Sequence, residues 1–350
     1  MNIKNLVRKN ILDLKPYTSA RDENLSGILL DANENSFGST FNEIKGLNLN
    51  RYPDPHQNDL RELISDYLKV PKENLFFGVG SDEIIDLLIR IFCEPGKNKI
   101  MIPEPTYGMY KVAADINNIP VVSVLLNDDF QVDEEEINKN FTPDIKIIFL
   151  CSPNNPTGNL LKEEDVLKIC KKYNSIIIID EAYIDFAENF SLKNEVEIYP
   201  NLVVMRTFSK AWGLAGARLG YCIANEEIIN ILFKVKAPYN INSLSRYAIK
   251  QALKNKNLRD LYIKEILTER EKLKKGLSLL PGVLNIFDSD ANFLLIKCIN
   301  AKTVLKKLAE RNIVIRDRST QPKLENCVRI SVGTKEENKI LLTALKEILN

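Results

Sequence analysis

From about residue 75 the chain alternates short runs of Ile, Val, Leu and Phe with stretches whose apolar residues return every three or four positions. "NLFFGVG" predicts a strand and "SDEIIDLLIRIFCEPG" a helix closed by Pro-Gly. "KIMIPE", "PVVSVLL", "IKIIFLCS", "SIIIIDEAY", "NLVVMRTFS" and "LGYCIAN" predict further strands, and "TYGMYKVAADIN" and "KEEDVLKICKKY" helices between them. The strand runs are continuously apolar, without in–out alternation, which marks strands buried on both faces. With helices interleaved, the expected class is α/β: a mainly parallel central sheet with helices on both faces. Ligands of such sheets sit at the carboxyl ends of the strands. Nearly every polar motif in the chain follows a strand.

After "APYNINSLS" the texture changes. A charged helical stretch from about Ser243 to Leu279 leads into "ANFLLIK", "AKTVLKKLAERN", "IVIRD", "CVRISVG" and a last helix. The expected organisation is an N-terminal arm over 1–30 packing with the small domain, a large domain over 31–242 and a smaller α+β domain over 243–350 joined by a long helix.

Composition narrows the chemistry. Forty-eight basic residues against 47 acidic ones give a net charge of +1, which favours neither nucleic acid nor an anionic membrane. The segment "MNIKNLVRKN" has no hydrophobic signal core and no apolar run reaches spanning length, so a cytoplasmic protein is expected. The six cysteines are scattered without a C-x-x-C pair, which predicts buried reduced thiols and no metal site. A single histidine, His56, removes most of the material for histidine-based nucleophilic or metal mechanisms. Proton transfers must then rest on lysine, tyrosine, carboxylates or an organic cofactor.

Four motifs carry candidate chemistry. "GVGSDE" has G-x-G after a strand, but Glu83 stands where a dinucleotide fingerprint needs its third glycine, and no P-loop pattern occurs. What remains is a helix start whose free N–H groups can hold a phosphate, or an ordinary helix capped by Ser81. "CSPNNPTGN" is a strand end and a turn; its prolines and Gly158 either present an Asn amide rigidly or make a plain turn. "IIIIDEAYIDF" sets Asp180 at the end of four isoleucines, where a carboxylate is costly unless a cation such as a protonated ring nitrogen meets it. A surface-loop acid is the other reading.

"RTFSKAWGLAGARLGY" holds Lys210 among apolar neighbours, with Thr207, Ser209 and Arg218 close by in sequence. Desolvation lowers a lysine pKa toward values at which the amine attacks a carbonyl. Two hydroxyls and a guanidinium fork suit a phosphate. A phosphate-bearing aldehyde that condenses with lysine and needs an acid at a pyridine nitrogen is pyridoxal 5'-phosphate.

In order along the chain stand "KPY" (15–17), "DANEN" (31–35), "RYPDP" (51–55), "GSDE" (80–83), "PTYGMY" (105–110), "SPNNPTG" (152–158) and "DEAYIDF" (180–186). The long lysine motif, "PYN" (238–240), "NF" (292–293), "IRD" (315–317) and "RISVG" (329–333) follow. With these the sequence resembles the fold-type I pyridoxal-phosphate aminotransferases, in their histidinol-phosphate aminotransferase branch. The resemblance implies amino transfer between L-histidinol phosphate and 2-oxoglutarate, giving imidazole acetol phosphate and glutamate, in histidine biosynthesis. An aromatic-amino-acid aminotransferase or an O-phosphothreonine decarboxylase of the same fold are the alternatives.

Carried over motif by motif, the resemblance makes Lys210 the Schiff-base and proton-shuttling residue and pairs Asp180 with the ring nitrogen. It sets Asn155 and Tyr183 on the ring's phenolic oxygen and Tyr107 stacked on the ring. Backbone N–H groups at Ser81 and Asp82, with Thr207, Ser209 and Arg218, would hold the phosphate. Tyr52 would reach it from the other subunit of a homodimer. Arg329 and Arg316 would take the substrate's phosphate or carboxylate, with Tyr17 and Asn33 closing the site. Two departures lie in the arm: Ser36 stands where the family usually has proline, and "KPYTSA" lacks the usual Pro-Gly.

Overall fold

The computed structural model describes residues 28–31, 33, 35–37 and 53–349. Tyr17 and Tyr52 lie outside the described residues, as does most of the arm. In chain order the first half contains β1 (Ile28–Leu29), α1 (Asn58–Leu68), β2 (Leu75–Val79), α2 (Gly80–Phe92), β3 (Lys99–Glu104), α3 (Met109–Asn117) and β4 (Val121–Leu125). It continues through α4 (Glu134–Asn140), β5 (Ile145–Cys151), α5 (Glu163–Lys172), β6 (Ile176–Asp180), β7 (Leu202–Thr207), β8 (Leu219–Ala224) and α6 (Glu226–Val235).

Seven of these strands form one sheet in the order β2-β8-β7-β6-β5-β3-β4. From β7 to β4 every neighbouring pair is parallel, while β8 runs antiparallel to both β7 and β2. The unbroken isoleucines are explained by cover on both sides. Ile177 and Ile179 of β6 join one hydrophobic cluster with Ile148, Leu150, Val204 and Ile64. Ile178 points the other way, into a second cluster with Ile147, Phe149, Met205, Ile84 and Leu88. The period of two is intact; both of its faces are apolar because helices pack on both. The α/β class expected from the pattern is the one observed.

The remainder comprises α7 (Ser243–Lys254), α8 (Lys256–Ser278), β9 (Val283–Ile286), β10 (Phe293–Cys298), α9 (Ala301–Ala309), β11 (Ile313–Val314), β12 (Arg316–Asp317), β13 (Cys327–Ser331) and α10 (Lys335–Leu349). An antiparallel sheet in the order β12-β13-β10-β9 shares a third cluster with α8, α9 and α10, including Leu273, Leu294, Val304, Ile330 and Leu341. Leu30 lies in that cluster, and β1 pairs in parallel with β11. The charged stretch from Ser243 to Leu279, expected as one long helix, is two. Asn255 leaves helical geometry (φ −104°, ψ 29°) between α7 and α8, a position where an asparagine side chain competes with the helical ladder.

All six cysteines are free and buried. His56 is exposed, with its ring centroid 6.2 Å from that of Phe233. Among the described residues no helix is long and apolar enough to cross a membrane.

Candidate active site

A cavity of about 200 Å³ opens at the carboxyl ends of β2, β5, β6 and β7. Because β8 is reversed, its first residues arrive at that same end and bring Arg218 with them. Lining side chains come from each of the motifs picked out in the first half: Ser81, Asp82, Tyr107, Asn155, Asp180, Tyr183, Thr207, Ser209, Lys210 and Arg218. Local chemistry placed each of them at a strand end. Sheet order then gathered them.

One wall carries hydrogen-bond donors. Thr207 Oγ1 donates to Ser209 Oγ at 2.9 Å, and the Ser209 N–H donates back to Thr207 Oγ1 at 3.1 Å. This pair holds both hydroxyls, buried, at the mouth of the loop after β7. Opposite them, α2 begins at Gly80, so its first-turn N–H groups face the cavity. An ordinary Ser81-capped helix is not what forms: the capping position is Val79, and no side chain caps it. Gly80 has φ +70°, and a Cβ there would lie 2.6 Å from Arg218 Nη2. The left-handed turn calls for glycine, and the guanidinium passes through the space a side chain would take. Gly220 in β8 is needed for a different reason, close backbone approach: a Cβ there would meet the Ser81 backbone nitrogen at 2.5 Å.

Acidic residues beside an anion-type wall pose an electrostatic problem, which the geometry answers. Arg218 Nη2 pairs with Asp82 Oδ2 at 3.0 Å, and Tyr107 Oη donates to Asp82 Oδ1 at 3.3 Å. Glu83 turns back instead, its Oε2 accepting from the Val79 N–H at 2.6 Å and from Asn240 Nδ2 at 3.0 Å. Neither carboxylate is left bare toward the cavity.

Asp180 ends β6 at only 2 % exposure. Burial raises its pKa from 3.8 to about 6, against the lowering effect of two hydrogen bonds. Tyr110 Oη donates to Oδ2 at 2.7 Å and the Ala182 N–H donates to Oδ1 at 3.0 Å. Half-buried Lys210 lies in the loop after β7, its Nζ 5.6 Å from the centroid of the Tyr183 ring.

At the rim, residues far apart in sequence meet. Asn155 Oδ1 accepts from Arg329 Nη1 at 2.5 Å, and Arg329 Nη2 donates to the Asp31 carbonyl at 2.9 Å. The Arg329 guanidinium also lies 5.2 Å from the centroid of the Phe293 ring. Asn33 Nδ2 donates to Tyr183 Oη at 3.1 Å, and Ser331 Oγ donates to Asn33 Oδ1 at 2.6 Å. Arg316 stands directly across from Arg329 in the β12–β13 pairing. Like charges on facing strands repel, so this pairing suits an anion between or beside them.

Beneath the lysine loop, Arg206 and Glu181 form a buried ion pair at 2.9 Å, and both are nearly inaccessible to water. Trp212 fills the space under Lys210 between Phe208 and Tyr67, with the Arg259 guanidinium 4.9 Å from its ring. Sequence reasoning did not assign Tyr110 or Cys151 to the site. Tyr110 sits in the "PTYGMY" motif, but only the fold puts its hydroxyl on Asp180. Cys151 was visible as the last residue of β5, the position that faces the cavity.

A lysine, a buried carboxylate, a hydroxyl–arginine cradle and a guanidinium rim on one mainly parallel sheet define an aminotransferase-type site. The family model "Aminotransferase class I and II" matches residues 26–345, and the chain belongs to that family. A curated histidinol-phosphate aminotransferase of Christiangramia forsetii is 49% identical over 353 residues, covering 100% of this chain and 99% of its own. The crystal structure of histidinol-phosphate aminotransferase from Clostridium acetobutylicum is similar, with TM-score 0.84 and 28% identity, over 92% of this chain and 99% of that one. The histidinol-phosphate aminotransferase of Sinorhizobium meliloti, solved in complex with pyridoxal 5'-phosphate, has TM-score 0.87 over 98% of this chain and 97% of that one. At 22% identity it shows the shared fold.

Proposed function

We propose that this chain transfers an amino group between L-histidinol phosphate and 2-oxoglutarate, giving imidazole acetol phosphate and glutamate in histidine biosynthesis, with bound pyridoxal 5'-phosphate. One observation carries the reading: Lys210, Asp180 and the Thr207–Ser209–Arg218 cradle line a single cavity whose rim meets Arg329. The residues fit that cofactor. Burial makes the Asp180 carboxylate costly without a cationic partner, and a protonated ring nitrogen is one. Gly80 and Gly220 keep open a cradle that any side chain would crowd. When bound, pyridoxal phosphate supplies an aldehyde for amine exchange and a protonated ring that draws electrons from the substrate's Cα–H bond.

The chain's own groups do the rest. Lys210 Nζ anchors the cofactor and then moves the proton from substrate Cα. With the cofactor bound, Asp180 would hold the proton on its ring nitrogen. Asn155 and Tyr183 would donate toward its phenolic oxygen, and Tyr107 would pack on the ring. The N–H groups of Ser81 and Asp82, with Thr207, Ser209 and Arg218, bind the phosphate, while the Asp82 carboxylate stays on Arg218. Arg329 and Arg316 bind whichever anion the substrate brings, phosphate or carboxylate, because a guanidinium fork accepts both. Asn33 closes the site through Tyr183, and Tyr17 belongs to the same closure. A cytoplasmic homodimer with Tyr52 entering the partner's site completes the reading, with domains divided at 31–242 and 243–350.

Steady-state assays against 2-oxoglutarate with L-histidinol phosphate, phenylalanine and O-phosphothreonine test it. The highest kcat/KM is expected for L-histidinol phosphate. Faster transfer from phenylalanine, or carbon dioxide release from O-phosphothreonine, would overturn the substrate assignment.

A further inference from the structure

Tyr110 lies on the first turn of α3, three residues after Tyr107, and is fully buried. Its ring stacks on Phe149 at a centroid distance of 4.6 Å and an interplanar angle of 10°, and meets Tyr107 edge-on at 5.5 Å and 85°. Phenylalanine would fill the same slot without the cost of burying a hydroxyl. That cost is recovered at one place, where the hydroxyl donates to Asp180 Oδ2 at 2.7 Å. The other carboxylate oxygen accepts from the Ala182 N–H at 3.0 Å, so each oxygen of Asp180 has a donor. An acceptor-only arrangement of this kind selects the ionised carboxylate, since a protonated one would have to donate.

We propose that Tyr110 is a positioning residue for the proposed transamination: its hydroxyl keeps the Asp180 carboxylate charged and aimed into the cavity, and its ring sets the tilt of Tyr107. This rests on the reading of the site given above. Two groups that would flank the cofactor, one at its ring nitrogen and one on its face, are thereby indexed to a single side chain that touches neither substrate nor cofactor.

The groups facing Asp180 come from every element around it. Tyr110 on α3 and the Ala182 backbone favour the anion, as does the charge of Lys210 in the loop after β7, while Asp82 on α2 opposes it. Cys151 on β5 lies beside the Tyr110 hydroxyl, but its thiol donates to the Pro153 carbonyl at 3.5 Å, and burial raises the thiol's own pKa and keeps it neutral. Burial likewise pushes the Tyr110 phenol well above its ordinary range, so it remains a donor. Among the described residues, the Tyr110 hydroxyl is the side-chain group that bonds Asp180 directly as a neutral donor.

The test is Tyr110→Phe, which keeps the ring and deletes the donor. In the cofactor-free protein, with 13C-carboxyl aspartate, the Asp180 resonance is expected to titrate at a pH about one unit higher, a tenfold change for one hydrogen bond to a charged group. In the cofactor-loaded protein, with 15N at the ring nitrogen, the nitrogen signal should move toward that of the unprotonated ring. The kcat for the amino donor should fall about tenfold, with KM little changed. Incorporating 3-fluorotyrosine at position 110 preserves size and strengthens the donor, so both resonances should move the opposite way; it keeps the test intact if Tyr110→Phe folds poorly. Carboxyl and ring-nitrogen signals at wild-type positions in both proteins would overturn the proposal, even if activity fell, because a purely structural residue would give that result. The carboxyl titration needs no cofactor, so it tests Tyr110 even were the wild-type chain to bind none, a result that would sink the cofactor reading instead.

Discussion

Lowering the pH through 6 should weaken cofactor binding in a way that Asp180→Asn abolishes. In the cofactor-free fold, burial raises the Asp180 pKa from 3.8 to about 6. The raised value means that the proton is bound more tightly in the folded chain than in the unfolded one. The associated contribution to stability is complete below 3.8 and is lost as the pH rises through about 6. A difference of about two pH units corresponds to ~3 kcal/mol of unfavourable charge burial at neutral pH. A cationic ring nitrogen against the carboxylate offsets that cost and lowers the pKa again, so below pH 6 binding must release a proton. Affinity then falls about tenfold for each pH unit below 6.

The comparison with Asp180→Asn isolates this effect, because the ligand's own phosphate and ring ionisations, and those of Lys210, are common to both proteins. At neutral pH the variant should bind about 10- to 100-fold more weakly, the value of a hydrogen bond to a charged group. By pH 5 the gap should have closed by about tenfold. Absorbance titration of cofactor-free protein with pyridoxal phosphate between pH 7.5 and pH 5 measures it. A gap that stays constant across that range would refute the claim that Asp180 meets a cation.

Three further outcomes are expected. Borohydride reduction of the cofactor-loaded protein should fix the cofactor to Lys210, shown by peptide mass, and Lys210→Ala should take up no label; label elsewhere would count against the assignment. Arg329→Lys removes the fork that reaches both Asn155 and the Asp31 carbonyl. It should lower kcat/KM for L-histidinol phosphate and glutamate alike by about 10- to 100-fold, and unchanged values would remove Arg329 from substrate binding. Glu181→Gln leaves Arg206 buried with Glu188, at 3.1 Å, as its remaining carboxylate partner among the described residues. A loss near 3 kcal/mol is expected, at the low end for a broken buried pair because Glu188 remains. The urea midpoint followed by fluorescence of Trp212, the single tryptophan, reads it directly, and an unmoved midpoint would show the pair to be dispensable.

Much of the site was legible because its residues follow their own strands. Lys210, Asp180 and Asn155 each stand within a few residues of an apolar run, and a run buried on both faces announces where a parallel sheet ends. The break at Asn255 was not legible in this way, since helical periodicity continues on either side of it. Nor was the cap of α2: Ser81 has the right chemistry, but the helix starts at Gly80, which puts the capping position at Val79, two residues earlier.

The order of hydrophobic and polar residues determined the class of fold, the strand that carries each motif and the kinds of group that would face a ligand. Those features depend on neighbours a few residues away, where covalent geometry and local burial leave few choices. Tertiary structure alone decided that β8 runs against its neighbours, that Arg329 reaches Asn155 across 174 positions, and that Tyr110 lies beneath Asp180. Such contacts cost chain entropy to form and are selected by the packing of the whole core, so no local pattern encodes them.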